Sequence, residues 1–211
     1  MLLRLHHAPL ACSLASRLAL IESGLPHEIS FVRTWKEEQN TDTYKRINPR
    51  AKVPALETDS GVLTESTAIL PYIADLAPQA QLFPPSGTFA RAQAQAWLSF
   101  LSSSLHSSFS AVIHPLDGCD SEAASQSGLA RLLIAYTDVD DHLDGREYIL
   151  DSPSVCDLYL FVFALWRAAP QLAGKMPELK NLDAFQQRML SRPALAATIG
   201  EEFKMRAEAL S

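Results

Sequence analysis

The chain has 211 residues, 47% of them hydrophobic, and its 24 acidic and 18 basic side chains leave a net charge of −6. That length and apolar content exclude a disordered chain and suit a unit with a sizeable core, while the acidic, mixed-sign charge excludes a basic nucleic-acid footprint. No apolar run reaches the roughly 18 residues that a membrane-spanning helix needs, and Arg4, His6 and His7 interrupt the brief apolar start where a signal peptide would lie. The widely spaced Cys12, Cys119 and Cys156 fit neither a disulfide framework nor a zinc cluster, so the expectation is a cytoplasmic protein with reduced thiols.

In chain order, residues 2–5 (LLRL) form a short apolar strand, and Pro9 breaks the pattern. From Cys12 onward, Leu14, Leu18, Ile21 and Leu25 recur at helical spacing, which puts Cys12 at a helix N-terminus directly after a buried strand. The helix dipole there lowers a thiol pKa; the other reading of a lone cysteine is a small buried side chain. Residues 27–32 form a second strand, and residues 34–44 read as a loop. In RINPRAKVPALE, residues 46–57, Pro54 cannot donate a ladder hydrogen bond, so Val53-Pro54 stands at the start of a strand. After a glycine turn at Gly61, Thr64 caps a helix over residues 65–76, with Glu65 and Ser66 in a first turn that favours a bound carboxylate. Two readings stand here: an edge strand with an ordinary capped helix, or a grip on a peptide-like ligand by its main chain and charged end.

Residues 77–88, APQAQLFPPSGT, have linker composition. Helical patterns follow over residues 89–114, 129–143, 154–169, 177–190 and 193–208, with a polar loop over residues 117–127. Ser154 and Asp157 form a capping box at the head of the most apolar helix, where Cys156 reads as core; Cys119, in the polar loop, reads as the more exposed thiol. Glu201, Glu202, Lys204 and Arg206 read as solvated surface. The division into domains is residues 1–77, a linker at 78–85, and residues 86–211.

Strand, helix, strand, loop, Val-Pro strand, strand, helix is the order of a thioredoxin-like domain. APLACSLASRLAL from Ala8, NPRAKVPAL from Asn48, VLTESTAILPYIADLAP from Val62, WLSFLSSSLHSSF from Trp97 and SVCDLYLFVFALW from Ser154 carry a wider likeness. As a set, over about residues 2–197, they resemble the cytosolic glutathione S-transferases and in particular the bacterial beta class. The resemblance implies an α/β thioredoxin-like N-terminal domain followed by an all-α C-terminal domain, a homodimer, and glutathione as co-substrate with no covalently bound cofactor and no metal.

Residue by residue, the resemblance implies that Glu65 and Ser66 clamp the γ-glutamyl group and that Val53 pairs with the cysteinyl main chain beside a cis Pro54. Lys36 meets the glycine carboxylate, and Ser103 keeps a hydroxyl at a position from which the class reaches glutathione across the dimer. Cys12 and His106 match the pair at the reacting sulfur; the plainer reading of His106 is a satisfied histidine on a buried helix face. A small hydrophobic electrophile would sit among His7, Leu10, Phe109, Ile113, His114 and Trp166. Three positions depart from the class pattern: His7 replaces a tyrosine, Leu10 a glycine, and Ser99 an amide side chain. The implied activity is conjugation of glutathione to hydrophobic electrophiles, with thiol-disulfide exchange through Cys12. A non-catalytic binding or regulatory protein and a glutathione-dependent isomerase are the alternatives. The joint presence of Cys12, Pro54, Glu65 and Ser66 speaks for the enzyme.

Overall fold

A computed structural model describes residues 2–114 and 121–208. Strand β1 (Leu3–His7) leads through helix α1 (Leu14–Ser23) to β2 (His27–Phe31), and the two strands run parallel with Leu3 opposite His27 and His7 opposite Phe31. A parallel pair needs such a crossover, and α1 supplies it. Gly24, at φ 68°, ends α1 in the left-handed conformation that glycine tolerates best, its N–H donating to the Ile21 carbonyl. Strands β3 (Ala55–Thr58) and β4 (Gly61–Thr64) add antiparallel, giving the order β2-β1-β3-β4. Leu3 and Leu5 point into the core, whereas Arg4 faces outward and pairs with Glu28.

Helix α2 (Asp42–Ile47) precedes β3, and α3 (Ser66–Leu76) follows β4. The helical part begins at α4 (Phe89–Phe100), capped by the Thr88 hydroxyl, which accepts from Arg91 N–H. A π-helical turn (Leu101–His106) joins α4 to α5 (Ser107–Ile113). Then come α6 (Ser121–His142), α7 (Val155–Trp166), α8 (Lys180–Leu190) and α9 (Pro193–Glu208). Helix α7 is the central rod: every residue from Val155 to Ala164 is buried, and α1 packs against it as well as against α3. One apolar core therefore runs from Leu5 and Leu18 through Ile69 to Leu105 and Phe161. Among the described residues no helix is long and apolar enough to cross a membrane.

The capping box forms as the sequence suggests. Ser154 Oγ accepts from Cys156 N–H, and Asp157 Oδ2 accepts from Ser154 N–H at 2.8 Å. Asp157 Oδ1 also accepts from Ile149 N–H, a tie to the preceding loop that lies outside the motif.

Several expectations need correction. The first strand continues to His7, and α1 starts at Leu14, two residues beyond Cys12. Residues 34–44 are not simply a loop: 3-10 turns at Thr34–Lys36 and Glu38–Asn40 lead into α2, capped by Thr41. Each piece is too short to show a helical period. Glu65, not Thr64, is the cap residue of α3. Helix α6 is already formed at Ser121, within the expected polar loop, and Cys119 lies outside the described residues.

Candidate active site

The turn after β1 carries Cys12 and is held from several sides. Leu10 has φ 58°, a left-handed conformation that costs a side-chain-bearing residue about 1–2 kcal/mol. Two long-range bonds fix it: Leu10 N–H donates to Glu202 Oε2 at 2.6 Å, and Trp166 Nε1–H donates to the Leu10 carbonyl at 2.8 Å. Glu202 Oε1 in turn meets His7 Nε2 at 2.7 Å and Arg17 Nη1 at 2.5 Å. On its other edge, His7 Nδ1 hydrogen-bonds the Ser13 hydroxyl at 2.8 Å, and that oxygen accepts from Ala8 N–H. Burial opposes ionisation of Glu202, but His7, the Leu10 N–H and Arg17 outweigh it and hold the carboxyl below its ordinary value.

Cys12 is half-buried, and its Sγ–H donates to the Val53 carbonyl at 3.3 Å. Burial pushes the thiol up to about 11, against backbone N–H groups of Ser13 and Cys12 that favour the thiolate. Glu65 adds to the rise, and Lys52 opposes it. The expected lowering of this pKa is therefore overturned: desolvation wins over the dipole of a helix that begins two residues later.

Val53-Pro54 is a cis peptide immediately before β3, with Pro54 buried. Tyr44 Oη and Asn48 Nδ2 both donate to the Lys52 carbonyl, fixing the approach to Val53. Glu65, at φ 72°, accepts Ala68 and Ile69 N–H groups on its carbonyl while its carboxylate stands exposed, 4.0 Å from Arg50. Ser66 is buried at the helix start. Non-glycine residues at positive φ gather at functional sites, and Leu10, Ala51 and Glu65 all flank this one.

His106, the last residue of the π-helical turn, sits among Tyr159, Phe163 and Trp166 of α7. Its Nδ1 is 3.3 Å from Tyr159 Oη. Burial and, secondarily, the Lys52 charge bring its pKa down to about 4, so the ring is neutral at pH 7. Phe109 stacks on Trp166 with centroids 4.5 Å apart, and Leu10 joins them through the indole N–H. Ile113, partly buried, follows one turn on, and His114 is exposed at the end of α5.

Some candidate residues stand apart. His7 is fully enclosed and bonded on both ring nitrogens, so it lines no pocket. Lys36 is exposed and influences Glu38 rather than the cysteine turn. Ser103 is exposed on a groove of about 400 Å³ with Phe100, Ser107, Arg131 and Ile134. Glu202, read from sequence as solvated surface, is fully buried. The sequence reading missed Lys52, the cation that acts on both Cys12 and His106, although it directly precedes Val53-Pro54. It also missed Tyr159, for which one buried aromatic in an apolar helix gave no signal. Among the described residues, no group of three or more His, Cys, Asp or Glu side chains is placed to hold a metal.

A thioredoxin-like sheet that offers a thiol and a backbone edge, followed by a helical part that offers a neutral histidine in an aromatic wall, defines the class of thioredoxin-like sheets joined to an all-helical part. The family model for the glutathione S-transferase N-terminal domain matches residues 11–76. Glutathione S-transferase GST-4.5 of Xanthomonas campestris pv. campestris is 35% identical over 207 residues, covering 95% of this chain and 98% of its own. The chain belongs to the glutathione S-transferase family. Among solved structures, BphK, a bacterial member in a ternary complex, is 35% identical with a TM-score of 0.85, covering 94% of this chain and 98% of its own. The beta-class enzyme of Sphingomonas chungbukensis is 33% identical with a TM-score of 0.82 over the same shares.

Proposed function

We propose that the protein conjugates reduced glutathione to small hydrophobic electrophiles, with Cys12 and His106 at the reacting sulfur and a slower thiol-disulfide exchange through Cys12. The observation that carries this reading is the Cys12 Sγ to Val53 carbonyl hydrogen bond of 3.3 Å. It sets the thiol against the backbone edge that would pair with the cysteinyl unit, so a bound glutathione sulfur would lie beside Cys12. Glu65 and Ser66 take the γ-glutamyl group at the start of α3, with helix N–H groups favouring its carboxylate. Lys52 offers the nearby positive charge and is a better candidate than Lys36 to favour an anion at this site. Leu10, Phe109, Ile113 and Trp166 form the apolar side that takes the electrophile, with His114 at its rim.

With its pKa raised, Cys12 remains a thiol at neutral pH, and in conjugation its one S–H turns from the Val53 carbonyl to donate to the glutathione thiolate. Neutral His106 is a second donor. The reading also includes a cytoplasmic homodimer. Val62, Phe89 and Ile134 leave apolar side chains 45%, 79% and 62% exposed on β4, α4 and α6, surface that a second copy would cover and from which Ser103 would reach the partner's glutathione.

The decisive experiment is calorimetric titration with glutathione followed by mass detection of the thioether formed with an activated aryl halide. Saturable binding and enzyme-dependent product are expected; neither would be seen if the fold had become a scaffold. Sedimentation at micromolar concentration that gave only a 23.2 kDa species would reject the dimer.

A further inference from the structure

Tyr159 is 1% exposed, and its hydroxyl lies between His106 and Ser102 of the helical part and Ser66 and Cys12 beside the sheet. It is 3.3 Å from His106 Nδ1, with the two rings nearly perpendicular at 89°. The Ser102 and Ser66 hydroxyls are close enough to favour its ionised form, while burial and the neighbouring Cys12 oppose ionisation more strongly and push its pKa well above the usual phenol range. His106 is held by a wall of α7 rings, with Phe163 and Trp166 centroids at 5.6 and 5.5 Å. Its Nε2 makes no hydrogen bond to a described residue.

A neutral imidazole carries its proton on one nitrogen only, and the partner of the other nitrogen decides which. A phenol that stays protonated always has a hydrogen to give. If Tyr159 donates to Nδ1, the proton stays on Nε2, and Nε2–H is free to bond an anionic sulfur. The opposite arrangement would leave Nε2 as a bare acceptor among aromatic rings, unable to stabilise a thiolate. We propose that Tyr159 is a positioning residue that donates to Nδ1 of His106 and so fixes the Nε2–H tautomer, the one able to hydrogen-bond a glutathione thiolate. The use of that tautomer rests on the proposed function; the tautomer itself does not.

The test is long-range proton–nitrogen correlation spectroscopy at pH 7 on histidine-labelled protein, with His106→Gln identifying the resonance. The expected wild-type spectrum has Nε2 protonated and Nδ1 bare. Predominant Nδ1–H would overturn the proposal, and this measurement needs no Tyr159 variant. Tyr159→Phe keeps the ring and removes the donor. It is expected to give a mixture of both tautomers and to lower kcat/KM for glutathione about three- to tenfold, the size of one neutral hydrogen bond. An unchanged tautomer in a folded Tyr159→Phe protein would overturn the proposal, because a purely structural hydroxyl would move the melting temperature but not the proton. The activity of His106→Gln reports separately on whether His106 serves the reaction.

Discussion

At the scale of single residues, Cys12 shows how a local motif can mislead. Its place just before α1 argues for an activated thiolate, but the surrounding protein removes more solvation than the backbone N–H groups and Lys52 restore. In exchange with oxidised glutathione, the Cys12 thiolate attacks one sulfur, a Cys12–glutathione disulfide forms, and the second glutathione leaves as thiolate. With the thiol near 11, that rate should rise about tenfold per pH unit between pH 7 and 9. Intact-mass measurement over time checks this, and a plateau below pH 8 would indicate an activated thiol after all. The modification should map to Cys12 and spare buried Cys156. The clamp residues make a second case. A hydrogen bond to a charged group contributes about 1.5–3 kcal/mol, so Glu65→Ala and Ser66→Ala should each weaken glutathione binding roughly ten- to a hundredfold. Because the Glu65 carboxylate is exposed, its variant should melt like the parent; calorimetric affinities that do not change in normally melting variants would remove these residues from the site.

At the scale of elements, α9 is the latch on the cysteine turn. Glu202 receives His7, Arg17 and the Leu10 N–H in a site without solvent, and Glu201 adds a partly exposed bond to Arg17. Removing one partner of a buried ionic cluster costs about 3–5 kcal/mol, so Glu202→Ala should lower the unfolding free energy by that order and loosen the turn that holds Cys12. Denaturant titration together with faster hydrogen exchange at Leu10 would register both effects; a loss below about 1 kcal/mol would mean that the cluster is replaceable by water. The same cluster marks the limit of what the sequence discloses. Helix α1, the Val-Pro strand and the Ser154–Asp157 box were legible because period, proline and capping chemistry act over a few residues. Glu202 was not legible, since its partners lie 185 to 195 residues away and a Glu-Glu-Phe-Lys run looks like any solvated face. His7 and Tyr159 divide the site in the same way: the strand histidine adjacent to the cysteine turn faces away into α9, while the tyrosine that reaches His106 comes from α7.

At the scale of the whole molecule, half-buried His106 and fully buried Asp157 set opposite pH slopes. His106 has an ordinary value of 6.5 and a folded one of about 4, so between them the unfolded chain binds more protons and stability falls as the solution is acidified. Asp157 has an ordinary value of 3.8 and a folded one of about 6 because burial outweighs its donors. Over that range the folded protein binds more protons, and stability rises on acidification. The two shifts are similar in size and opposite in sign, so the melting temperature should vary little from pH 6.5 to 4. Below the ordinary Glu value of 4.5 the balance ends. Glu202 is held down in the folded state, so its contribution is present above that value and disappears as pH falls through the folded one. Calorimetric melts across pH 3 to 7 check the scheme, with a steep loss expected only at the acid end. His106→Gln should then gain melting temperature as pH falls from 6 to 4, and Asp157→Asn should lose it from 6.5 to 4. Two variants whose slopes share a sign would show that these groups do not carry the pH response.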